Sequence, residues 1–139
     1  MRHSLTLCIA AGLASLTSGS VLVASPSTAR AERAAADQAK LDKALAGKTP
    51  GKPVSCIALN RVNGTTYIGD STILYRVNAK LTYRNDPVGG CSGLRNGAGL
   101  VTRTPSTRLC SGDIATVRDF VTGIETGACS MAEFVPYRK

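Results

Sequence analysis

The sequence predicts a mainly β chain: a small disulfide-stapled antiparallel roll or barrel preceded by a short Ala-rich helix. Three observations carry that expectation. From Val54 onward, short runs rich in β-branched and aromatic residues alternate with Gly, Asn and Asp. Four cysteines, Cys56, Cys91, Cys110 and Cys129, are spread through the same stretch. Aromatic residues make up only 4% of the chain, with no Trp against 14 Gly, so the core has to be built largely from Val, Ile, Leu and Ala around many turns. A core that thin gains from covalent staples.

Residues 1–24 read as an export signal. Arg2 and His3 precede an apolar run over residues 5–16, and small residues crowd residues 17–31, the order of a charged, an apolar and a cleavage region. A membrane span needs roughly 20 nearly unbroken apolar residues, whereas Gly12, Ser15, Thr17 and Ser18 interrupt this run early. Cleavage after Ala24, or as late as Ala31, suits the small-residue rule. The competing reading is an uncleaved anchor lengthened by Val21-Leu22-Val23-Ala24; a lipoprotein is disfavoured because Cys8 comes too early. Once the signal is removed, no stable membrane span is expected, and the location is periplasmic or secreted.

Processing would change the available chemistry. His3, the only histidine, leaves with the signal, and with it go the Ser-His-Asp triad, the Cys-His pair and His-ligated metal sites. Cys8 leaves too, so five cysteines become four, and an even count in an exported chain reads as two disulfides. A four-cysteine zinc site is the rival, but no CxxC pair exists. Four cysteines allow three pairings, and their order does not choose among them. The expectation is Cys91 with Cys110 and Cys56 with Cys129, because adjacent first and last strands in a roll would bring Cys56 to the end of the domain. No cofactor and no metal are expected.

The charge is basic throughout. Sixteen of the 17 Lys and Arg and all 9 acids follow residue 24, a formal +7. The excess forms no Lys/Arg run and is not interleaved with aromatics, which argues against nucleic acid and for a solvated surface in loose contact with anionic envelope components.

Residues 31–45 are rich in Ala, Lys, Asp and Gln without Pro or Gly, and Gly47 follows as a stop, which predicts a helix. Its apolar stripe is poor, so it should lie loosely or fray. Residues 48–53, with two prolines and a glycine, read as a linker. The domain proper spans 54–139. Asn63-Gly64 between two β-like runs predicts a first hairpin; Asn78-Ala79 predicts a second, between the alternating runs at 73–77 and 81–83. Five Pro and Gly between Asn85 and Gly99 predict a long loop holding Cys91. Further strands are expected at 100–103, 114–121 and 134–137.

The neighbourhoods Cys56-Ile57, Asp70-Ser71-Thr72-Ile73-Leu74-Tyr75, Cys91-Ser92-Gly93-Leu94, Leu109-Cys110-Ser111-Gly112-Asp113, and Ala128-Cys129 leading to Glu133-Phe134-Val135-Pro136-Tyr137 fall in one order. As a series over residues 54–137 this resembles a family of small exported proteobacterial proteins with four cysteines, catalogued only as a domain of unknown function. After Cys129 that family tends to show Leu-Gly where this chain has Met131-Ala132. The resemblance implies export and paired cysteines, and it implies no activity.

Candidate site residues are few. Asp113 and Glu133 are possible binding carboxylates, although Asp113 and Asp70 also suit turns that bond their own backbone. Arg95 and Arg108, with Arg84 and Arg103, surround the Gly-rich loop and suit an anionic ligand. Tyr75, Tyr83, Phe120, Phe134 and Tyr137 read as core or cross-strand residues. The functional expectation is a non-catalytic binding or interaction module. The alternative is a histidine-free hydrolase or lyase that acts on envelope glycans through carboxylates such as Asp113 and Glu133.

Overall fold

The computed structural model describes residues 26–139 apart from Arg95, Asn96 and Pro105. The expected export signal and one expected site residue, Arg95, therefore lie outside the described residues. The architecture is a helix followed by an antiparallel roll, as expected. Helix α1 runs Pro26–Leu45, and the strands are β1 Thr49–Pro50, β2 Cys56–Ala58, β3 Gly64–Ile68, β4 Thr72–Arg76, β5 Leu81–Asn85, β6 Gly99–Thr102, β7 Arg108–Cys110, β8 Ile114–Arg118, β9 Glu125–Ser130 and β10 Phe134–Arg138, with one 3-10 turn at Leu59–Arg61.

A five-stranded sheet in the order β1-β10-β5-β4-β3 packs against a β2-β7 ribbon and a β6-β8-β9 sheet. Because side chains alternate across a strand, one face of the large sheet turns Ile73, Tyr75 and Phe134 toward Leu109, Val117 and Met131 of the facing layers, and this is the core. Tyr75 and Phe134 meet edge to face with ring centroids 5.8 Å apart, and Tyr75 sends its hydroxyl to the Met131 sulfur. Burial pushes the Tyr75 phenol well above its ordinary range, with Tyr67 adding to the shift, so the ring stays neutral in the core.

The opposite face carries Leu74 and Ile68, and α1 covers them with Leu41 and Leu45. The helix is thus anchored, not frayed. Two leucines one turn apart suffice, since burying a leucine contributes about 1.5–3 kcal/mol. Gly47 ends the helix at φ 68°, the left-handed conformation that a stop requires.

Several expectations need correction. The 48–53 linker is not free: β1 pairs with β10, and Gly51 N–H donates to the Pro136 carbonyl. Pro136 is tolerated in an interior strand because its N and O point toward this short edge strand, where only the missing donor is lost. Asn63-Gly64 does not close a hairpin. The runs on either side enter different sheets, β2 pairing with β7 and β3 with β4, and the first hairpin turns at residues 69–71. The second hairpin turns at Asn78 as expected, its side chain accepting from the amides of Lys80 and Leu81. Strands β7 and β9 were not foreseen.

The cysteine pairing also differs from expectation: Cys56 joins Cys110, and Cys91 joins Cys129. The expected meeting of the domain's two ends does occur, but at Val54, which bridges Phe134. Two residues later the chain has left for the other layer, where Cys56 lies directly opposite Cys110 in register. Cys91 reaches β9 because the Gly-rich loop is folded back, with the Cys91 amide donating to the Asp70 carbonyl. A side chain at Gly90, whose φ is 75°, would stand 2.9 Å from that same carbonyl oxygen. The stretch around Gly90 and Cys91 is therefore a built element rather than slack chain.

Candidate functional site

Asp113 closes its own turn. Its Oδ2 accepts from the Cys110 amide at 2.7 Å and its amide donates to the Cys110 carbonyl, so the carboxylate is committed to the turn between β7 and β8. Glu133 is exposed on the link into β10, whose backbone is pinned from inside. Asn85, fully buried, donates through Nδ2 to the carbonyls of Ala132 and Glu133 and accepts from the Ala132 amide. Glu133 shares a shallow depression of about 500 Å³ with Asp86, not with Asp113. Asp86 is itself held by Arg84 Nε at 2.9 Å and by the Thr72 hydroxyl at 2.6 Å. Asp113 and Glu133 thus do not converge: Asp113 is spent on its turn, and Glu133 stands exposed beside the Arg84–Asp86 pair.

The arginines tell a different story. Between α1 and the outer face of the large sheet lies a cleft of about 650 Å³ lined by Arg30, Arg33 and Arg84, with Asp37 the one acid in its lining and Ser71 beside them, while the Thr72 hydroxyl and the Gln38 amide of the lining already donate to Asp86 and Asp42. Arg30 and Arg33 stand three residues apart on α1 and so share a face, while Arg84 comes from β5 across the cleft. Burial works to lower the Arg84 pKa, but the hydrogen bond and charge of Asp86 outweigh it and hold the guanidinium above its ordinary value. Arg108 lines a second, smaller cleft together with Arg61. Of these arginines the sequence singles out only Arg84 and Arg108. The i,i+3 spacing of Arg30 and Arg33 was a signal within reach; nothing local marked Arg61.

Phe120 departs from the expected core role. Together with Val121 and Ile124 it forms an apolar tip on the β8–β9 hairpin, Val121 being 95% exposed, and its ring covers Gly99, where a side chain would collide with it. Asp119 Oδ1 braces this tip by accepting from the amides of Val121 and Thr122. Those bonds, the Val121 one first, hold the Asp119 carboxyl below the usual aspartate value. A lowered folded pKa means that the brace is complete above the ordinary aspartate range near pH 4 and is lost as pH falls through the folded value. In an acid titration followed by NMR, the Val121 and Thr122 amide shifts are expected to stay constant down to about pH 4 and to inflect below it. An inflection above that range, or one that persists in Asp119→Asn, would contradict the brace.

Among the described residues no group of His, Cys, Asp and Glu is arranged to hold a metal, no buried side-chain polar atom lacks a partner, and no helix is long and apolar enough to cross a membrane. In comparisons with known proteins, no family model, no curated protein and no solved structure matches the chain. The two disulfides are bonds of an oxidising compartment.

Proposed function

We propose that this protein is a periplasmic or secreted, non-catalytic binding module that takes anionic components of the cell envelope into the cleft between α1 and the large sheet. The observation that carries the reading is the lining of that cleft, where Arg30 and Arg33 meet a single acid, Asp37, and Arg84, itself paired with Asp86, closes the far side. Guanidinium groups suit phosphate and carboxylate because their planar donors match two acceptor oxygens at once. The disulfides agree with export.

The test is binding of purified protein beginning at Ser25, the form that keeps α1 whole, to lipopolysaccharide micelles and phosphatidylglycerol vesicles. Each basic residue near an anionic surface contributes about 1 kcal/mol, so Arg30→Gln with Arg33→Gln is expected to weaken binding roughly thirtyfold. The loss should shrink as salt is raised. Undiminished binding by the double variant would remove the cleft from the account. The catalytic alternative has its own signature: turnover on a panel of glycan, peptidoglycan and ester substrates that Glu133→Gln or Asp113→Asn abolishes in a folded protein.

A further inference from the structure

We infer a second ligand site, separate from the α1 cleft: the cavity between the β2–β7 ribbon and β5, fitted to a small carboxylate with an apolar tail. It has a volume of about 240 Å³, room for about eight water molecules at roughly 30 Å³ each, which is below the size of a drug-like pocket. Its lining is mixed, two arginines facing a set of uncharged and mostly apolar side chains. Ile57 and Val77 are 3% and 8% exposed, and Leu81, Tyr83 and Ala58 complete the lining together with Cys56. Both cations of the lining sit on the same ribbon. Arg108 opens β7 directly opposite Ala58 in register, and Arg61 ends the 3-10 turn that continues β2. No acid contributes to the lining, and among the described residues neither guanidinium is paired with a carboxylate.

This combination selects the chemistry. The apolar side chains of the lining reward burial of a hydrocarbon or aromatic tail, and two unpaired guanidinium groups at exposed positions reward a carboxylate head that accepts from both. A neutral alcohol of the same length would lose the head, and acetate would lose the tail. The Cys56–Cys110 disulfide holds the ribbon that supplies both arginines, so the oxidised protein presents the site preformed.

The experiment is calorimetric titration of the intact oxidised protein with octanoate, octanol and acetate, and a flotation assay with phosphatidylglycerol vesicles. Octanoate is expected to bind with a dissociation constant on the order of 0.1–1 mM, as ligand-efficiency limits allow for ten non-hydrogen atoms. Octanol and acetate should each bind at least tenfold more weakly, and Arg61→Gln and Arg108→Gln should each weaken octanoate about tenfold. Ala58→Leu, which fills the cavity while keeping both cations, should abolish octanoate binding, whereas Arg30→Gln with Arg33→Gln should leave it unchanged. The last comparison separates failure of this site from failure of the α1 cleft. Two results would overturn the assignment: octanol binding as tightly as octanoate, or no octanoate binding, in which case vesicle binding that depends on Arg61 and Arg108 would make this face a membrane contact.

Discussion

Replacing Cys91 and Cys129 together by alanine is expected to lower the unfolding free energy by about 4 kcal/mol, the loop-closure entropy of a bridge spanning 38 residues. That is a large share of the stability of a small domain, typically about 5–15 kcal/mol. The Cys56–Cys110 bridge spans 54 residues, and the same relation gives about 4 kcal/mol for it, so chain entropy does not rank the two. Burial does. Cys91 is fully buried and Cys129 is 5% exposed, both within the core cluster, so the first double variant also leaves a cavity in the core. Cys56 and Cys110 lie half-buried on the ribbon. The Cys91/Cys129 variant should therefore be the less stable in urea unfolding, and titration with dithiothreitol followed by alkylation and mass spectrometry should open Cys56–Cys110 first. Because Cys91 lies inside the 56–110 loop, removing both bridges should not cost the sum of the two. A loss under about 1 kcal/mol for the Cys91/Cys129 pair would mean that residual structure, not the bridge, limits the entropy of the unfolded chain.

Phe134→Ala is expected to cost about 3–5 kcal/mol, the range for emptying a fully buried aromatic site. The position earns the upper part of that range on three counts. Its ring is wholly inaccessible, it packs edge to face on Tyr75, and its backbone joins the Val54 segment through reciprocal hydrogen bonds. Phe120→Ala makes the informative contrast. It removes the same side chain from a surface 68% exposed, where changes usually fall within about 0.5 kcal/mol. Urea midpoints that drop for Phe134→Ala with an unchanged slope would locate the loss in the folded core. Equal effects of the two substitutions would contradict the placement of the core on the inner face of the large sheet.

The difference between these two phenylalanines shows how far the sequence could be read. Both lie within β-like runs, at 114–121 and 134–137, and local pattern assigns both to the core. Phe134 stands at an alternating position of a strand flanked on both sides, whereas Phe120 falls just beyond the point where β8 yields to the Asp119 turn. The acids behaved in the opposite way. Asp113 was legible as a turn residue because an aspartate bonding its own backbone is a short-range event, complete within four residues.

By itself the sequence determined the features that depend on neighbours in the chain: the helix before Gly47, the Asn78 hairpin, the strands at β4, β5, β6, β8 and β10, the excess of arginine, and four cysteines available for pairing. Only the tertiary structure decided which partners those elements meet. Whether Asn63-Gly64 closes a hairpin depends on whether β2 finds β3 or β7, and the three-residue β2 carries too little pattern to say. The cysteine pairing follows from that same choice, since Cys56 faces Cys110 only once β2 and β7 are neighbours. The arginine clefts arise one level later, where a helix docks on a sheet through Leu41 and Leu45 and where a ribbon approaches β5. Contacts between residues far apart in sequence are set by burial of whole faces and by closure of long loops, and neither is encoded in any single stretch of this chain.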